Sequence, residues 1–156
     1  MGQYRITRNI EASVVDQIVT ALGVGGWNDI RVEKAFAKVY NGELPCIAIN
    51  VIKRIPAIKE IGSKQTLKIF ELEFRIFATS DGQRLDLSDF LQETIEQDFD
   101  YFSYTITGGV ISAKVLNGRI IVRRFLSNKK ELINTENLEK EDKFRHIISV
   151  EVFVTN

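Results

Sequence analysis

The chain has 156 residues, 44% apolar and 27% charged, a balance that excludes global disorder and suits one domain over residues 1–156. Its 21 basic and 21 acidic side chains cancel, which argues against a dedicated, sequence-specific nucleic-acid binder with a strongly basic surface, while a local basic patch fits within a neutral total. The single cysteine, Cys46, excludes an internal disulfide, and no apolar run approaches the roughly 20 residues of a membrane-spanning helix.

The opening stretch MGQYRITRNIEAS lacks the cationic start and apolar core of a signal peptide. Ile6 also stands where a myristoylation signal needs Ser or Thr, so the expectation is a protein made in a reducing cytoplasm. Asn9 is placed to cap a helix predicted over 10–22, where Ile10, Val14, Ile18 and Leu22 recur every four residues. Gly23, Gly25 and Gly26 end it, and Trp27 follows as a core plug. Residues 30–40 read as a strand with Val32, Phe36 and Val39 turned inward, and Asn41-Gly42 as a turn. Pro45 then opens the run CIAINVIK at 46–53, whose Ile and Val content suits a covered strand.

Residues 54–66, RIPAIKEIGSKQT, read as a loop or hairpin tip because they hold Pro56 and Gly62. Their isoleucines, Ile55, Ile58 and Ile61, need burial, either on this chain's own sheet or on another subunit reached by a protruding arm. The next strand alternates cleanly: Phe70, Leu72, Phe74, Ile76 and Ala78 face one way, and Glu71, Glu73 and Arg75 the other. Ser80-Asp81-Gly82 breaks it. A second helix follows over 85–99, capped by Asp86 or Ser88, with Leu87, Phe90, Leu91, Ile95 and Phe99 as its stripe. Its opposite face is acidic, carrying Asp89, Glu93 and Glu96.

Segments 101–107 and 110–116 flank Gly108-Gly109 as a hairpin, and Asn117-Gly118 predicts a second turn into a strand at 119–126. Residues 127–143 are charged and Asn-rich and read as a mobile loop, before an apolar final strand at 144–154. The fold class expected is α+β: a mostly antiparallel β-sheet with two helices packed on one face.

Chemistry is sparse. His146, the single histidine, shares parity with apolar strand residues and reads as a satisfied core or edge side chain, and Cys46 as a small buried hydrophobe, which leaves little for a Cys–His dyad. No CxxC, HxxxH, GxGxxG or Walker motif is present, so neither a cofactor nor a metal is expected. Asp86, Asp89, Asp98 and Asp100 fit capping and helix-dipole roles better than cation binding. Arg123, Arg124, Lys129 and Lys130 form a local cationic cluster suited to solvent or to an acidic partner surface.

The layout of an amphipathic helix, a long hairpin (CIAINVIKRIPAIKEIGSKQTLKIFELEFRIFATS), an acid-bearing helix (LDLSDFLQETIEQDF), a short meander and an apolar last strand resembles the tail terminator, or tail-completion, proteins of long-tailed bacteriophages. The likeness spans about residues 5–154 and contains no diagnostic motif; the charged segment 127–143 is longer than that layout requires. The resemblance implies a non-enzymatic virion component, assembled in the host cytoplasm, whose copies form a ring, commonly a hexamer. The ring caps the tail tube, ends its polymerisation and meets a head-connector or neck protein. It implies contacts spread through loops and sheet edges; the residues whose own chemistry fits such contacts are the arm residues Arg54, Ile55, Ile58 and Ile61, the cations Arg123, Arg124, Lys129 and Lys130, and the acidic helix-face residues Asp89, Glu93 and Glu96. Two alternatives stay open: another neck or head-closure protein, and a small ligand-binding α+β domain with a pocket between helices and sheet.

Overall fold

Phe70, Leu72, Phe74 and Ile76 are each fully buried, while Glu71, Glu73 and Arg75 between them are half-buried on the opposite side. That single strand sets the two sides of the molecule. The computed structural model describes residues 5–34, 42–58, 66–131 and 143–155, with 55–58 and 66–67 described as backbone. Its elements are α1 (Ile6–Val24), β1 (Arg31–Glu33), β2 (Cys46–Ile58), β3 (Thr66–Phe77), α2 (Asp81–Glu96), β4 (Phe99–Thr107), β5 (Val110–Lys130) and β6 (Arg145–Thr155).

The strands form one sheet in the order β1-β2-β3-β6-β5-β4, antiparallel throughout except for the β1–β2 pair. The fold is α+β with both helices on one face. Ile10, Val14, Ile18 and Leu22 of α1 and Leu87, Leu91 and Ile95 of α2 share one core with Ile47 and Ile49 of β2, the inward side of β3, and Ile148, Val150 and Val152 of β6. Each such side chain contributes about 1.5–3 kcal/mol by leaving water. Trp27 packs on the rim of this core with its ring 6.2 Å from that of Phe90. Among the described residues no helix is long and apolar enough to cross a membrane.

Several elements differ from their sequence reading. Helix α1 begins a turn earlier than expected: Arg5 is the N-cap, without a side-chain cap bond, and Asn9 is a buried residue within the helix. Ile6, four residues before Ile10, extends the apolar stripe and pulls the first turn onto the core. Helix α2 also starts earlier, because Ser80 Oγ accepts the Gln83 N–H at 3.2 Å while Gln83 Oε1 accepts the Thr79 N–H at 2.8 Å. This reciprocal pairing nucleates the helix at the residues read as a strand break, so Asp86 and Ser88 are interior positions.

Asn117-Gly118 is a bulge, not a turn. Leu116 and Arg119 of β5 lie opposite Phe102 and Asp100 of β4, three steps against two, with Gly118 at φ 138°. One 21-residue strand therefore replaces the two expected, pairing with β4 before the bulge and with β6 after it. β5 also runs on through Lys130, paired with His146, so 127–130 are strand and not loop; 132–142 lie outside the described residues.

The arm at 54–66 is likewise strand where it is described, with Arg54 opposite Phe70 and Ile58 opposite Thr66. Ile61 lies outside the described residues, as do Phe36, Val39 and Asn41. The strand expected over 30–40 is described only as Arg31–Glu33, and it runs parallel to β2, with the Arg31 N–H donating to Pro45 O at 3.1 Å.

Candidate functional site

Helix α2 spaces its polar residues so that Asp81, Asp86, Asp89, Glu93 and Glu96 all emerge on the solvent side and are exposed. Its one cation, Arg84, turns inward, 2.9 Å from Asp81 and 2.7 Å from His146. Carboxylates three and four residues apart on a helix repel by a few tenths of a kcal/mol per pair. This face is a mild liability to the monomer.

The cations expected as one cluster divide between the two sides of the sheet. Residues directly opposite across strands share a side, so one row reads Lys53, Glu71, Glu151, Arg124 across β2, β3, β6 and β5. Arg124 grips the largely buried Glu151 carboxylate bidentately at 2.8 and 3.0 Å, and Arg123, at a register shift, approaches it to 3.8 Å. The hydrogen bond from Arg124, with help from the charges of Arg123 and Lys53, holds the Glu151 carboxyl below its usual range. Lys129, exposed and opposite Ile147, stands on this same side, which no helix covers among the described residues. Lys130 pairs with His146 on the helix side and lies 3.9 Å from Asp81. Arg54 also faces the helix side, its guanidinium 5.9 Å from the centre of the Phe70 ring. For Ile55 and Ile58 the backbone alone is placed, on the hairpin continuing β2.

Cys46 and His146 leave opposite sides of the sheet. Cys46 lies opposite Phe77, which lies opposite Arg145, and His146 is the next residue with inverted parity. Burial pushes the Cys46 thiol up to about 11. His146 is 5% exposed, accepts from Arg84 at Nδ1 and donates from Nε2 to Asn128 Oδ1; burial, then the Arg84 charge, pull its pKa down to about 4. Asp98 Oδ1 accepts the Val122 N–H at 2.8 Å, and Asp100 lies 3.7 Å from Arg119. Among the described residues no group of three or more His, Cys, Asp or Glu side chains is arranged to hold a metal ion. A cleft of about 550 Å³ runs between α1, α2 and β4, past Val24, Phe90, Phe102 and Lys114; neither His146 nor Cys46 lines it.

Two features were missed from sequence. Asn9, Ser13 and Gln17, at helical positions i, i+4 and i+8, reach the outer edge of β4 and accept the N–H groups of Tyr104, Phe102 and Asp100 at 3.4, 3.0 and 2.8 Å. Gln17 also donates to Asp100 O at 2.7 Å, so its amide substitutes for a neighbouring strand. The signal was present as three polar residues at four-residue spacing beside an apolar stripe. The second feature is the free side of β5 before the bulge, where Val110, Ile111, Val115 and Leu116 are 69%, 42%, 65% and 60% exposed.

The sequence matches no protein-family model and no curated protein.

Proposed function

We propose that this chain is a structural assembly subunit that packs head-to-tail with copies of itself, as a tail-terminator ring at the end of a phage tail tube. The observation carrying the reading is an uneven charge distribution on a neutral chain: the outer face of α2 exposes Asp81, Asp86, Asp89, Glu93 and Glu96, and on the uncovered sheet side the exposed charges include Lys53, Arg123, Arg124 and Lys129, set around the half-buried Glu71 and the largely buried Glu151. Two unlike, complementary patches on different sides favour a heterologous contact, which closes into a ring when the rotation permits. Desolvating the like-charged helix face against cations relieves the repulsion it carries in the monomer. The tail-tube and head-connector partners, the virion location and the absence of catalysis rest on the resemblance in layout. The two strands β2 and β3, extended to Ile58 and from Thr66, supply the long hairpin that the layout requires.

The test is negative-stain microscopy of the purified chain with isolated tail tubes and, separately, with DNA-filled heads. Rings seated on tube ends support the reading. Binding to heads alone makes the protein a neck component, and no assembly with either overturns it.

A further inference from the structure

Asparagine is chemically labile, because its side-chain amide carbon is within five-membered-ring reach of the next residue's backbone nitrogen. Ring closure joins the two, expels ammonia and leaves a succinimide. It is easiest before glycine, which has no Cβ to hinder the approach and turns freely at its own backbone. The described asparagines are Asn9, Asn28, Asn50, Asn117 and Asn128, and of these Asn117 is the one that glycine follows.

The fold leaves this pair open to reaction and restrains the others. Asn117 and Gly118 together face the single residue Tyr101 of β4, so the regular ladder is interrupted at them. On the other side the β5–β6 ladder begins only at Arg119 opposite Thr155, so among the described residues no strand backs Asn117 there. Its side chain is exposed and tied down at the surface, Nδ2 donating to Ser103 Oγ at 3.0 Å. Gly118, at φ 138°, holds a conformation that glycine leaves and re-enters at little cost. Local opening at such a site needs far less than global unfolding.

Asn9, by contrast, is buried inside α1 with its Oδ1 on the Tyr104 N–H. Asn128 is bonded to both His146 and Gln92 in a strand paired with β6. Asn50 is paired with Glu73 and precedes the β-branched Val51. Asn28 is exposed, but the side chain of Asp29 crowds its ring closure.

We infer that Asn117 is a site of spontaneous covalent modification in the folded protein, cyclising on Gly118 and opening to aspartate and isoaspartate. The Gly118 nitrogen gives its proton to solvent base and bonds to Asn117 Cγ; the Cγ–Nδ2 bond breaks, and Nδ2 leaves as ammonia, protonated by water. Water then adds to the imide. Attack at the side-chain carbonyl gives aspartate, and attack at the backbone carbonyl gives isoaspartate. Both products lose the Nδ2 donor and set a carboxylate against Ser103 Oγ. Isoaspartate also adds a methylene to the backbone where β5 passes from β4 to β6. The site lies apart from the acidic face of α2 and the cationic strip, so the inference does not depend on the head-to-tail contact proposed above.

The experiment is incubation of the full chain at pH 8.5, folded and in urea, followed by peptide mass mapping and methyl labelling with an isoaspartyl methyltransferase. In the folded protein the Asn117 peptide gains the mass of an amide-to-acid exchange, faster as pH rises, and takes up label. The Asn50 and Asn128 peptides keep their mass. Asn41-Gly42, the same dipeptide elsewhere in the chain, is scored on its own peptide. Asn117→Gln, which closes a ring of this kind far more slowly, abolishes label at that peptide. Conversion in urea with none in the folded protein shows that the fold blocks ring closure, and overturns the inference. So does an acid product that takes up no label, or conversion of Asn50 and Asn128 at the same rate. The wild type alone decides each of these outcomes, whether or not the variant folds.

Discussion

Arg84 Nη1 donates to Nδ1 of His146 across 2.7 Å, which fixes the imidazole as the neutral tautomer with its proton on Nε2. A buried cation on one nitrogen leaves no room for a second proton there. Asp89 pulls the other way but weakly, and Lys130 and Asp81 complete the charged surroundings. The folded pKa, near 4, is below the ordinary 6.5, so the unfolded chain takes up the proton first. The stability held by neutral His146 is therefore complete above about pH 6.5 and is lost as pH falls towards 4. The expected loss over that window is about 3 kcal/mol. Urea denaturation at pH 7, 5.5 and 4.5 measures it, and His146→Gln flattens the profile. An unchanged slope in that variant places the acid sensitivity elsewhere.

Gln17 serves as a one-residue strand for Asp100, accepting its N–H at 2.8 Å and donating to its carbonyl at 2.7 Å. Gln17→Met keeps the length and removes both bonds, so the expected cost is about 1–3 kcal/mol. Hydrogen exchange supplies a local readout: the Asp100 amide exchanges faster while amides in the middle of β3 do not.

Glu93 sits four residues after Asp89 and three before Glu96, both of like charge. Glu93→Lys relieves those repulsions and stabilises the fold by a few tenths of a kcal/mol, read as a slightly higher chemical-denaturation midpoint. On the head-to-tail packing proposed above, the same change weakens assembly, and Lys129→Glu, made together with it, restores part of the loss. A variant that is both more stable and fully assembly-competent removes α2 from the interface.

Gly118 holds φ at 138° where β5 changes partners. A β-branched side chain is strained there, and Gly118→Val is expected to cost about 1–3 kcal/mol, read as a lowered urea midpoint. The same change at Ser112, another bulged position of β5, gives a smaller loss because its φ is not in the positive range.

The covered face of the sheet was legible because period-two alternation in β3 admits one burial solution: shifting the register by one residue would expose four large apolar side chains. Both helices were legible for the same reason at period 3.6. Their starts were not, because Asn9 and Ser80 are equally good as caps, breakers or edge partners until tertiary contacts choose. Asn117-Gly118 misled because an αL-tolerant pair serves a hairpin turn and a bulge alike. The acidic patch could be read from sequence since helical spacing alone puts Asp89, Glu93 and Glu96 together. The cationic one could not: Lys129 and Lys130 alternate across the sheet, and the register shift at Arg123 brings it and Arg124 to one carboxylate. The parallel pairing of β1 depends on contacts far along the chain and leaves no local trace.

Strand β5 belongs to two ladders, and that has a mechanical consequence. Tension applied at the Gly108-Gly109 tip along the hairpin is passed down one continuous backbone into the interior of the sheet, where the bonds to β6 bear it together in shear. Peeling would open them one after another; shear requires that they yield at once.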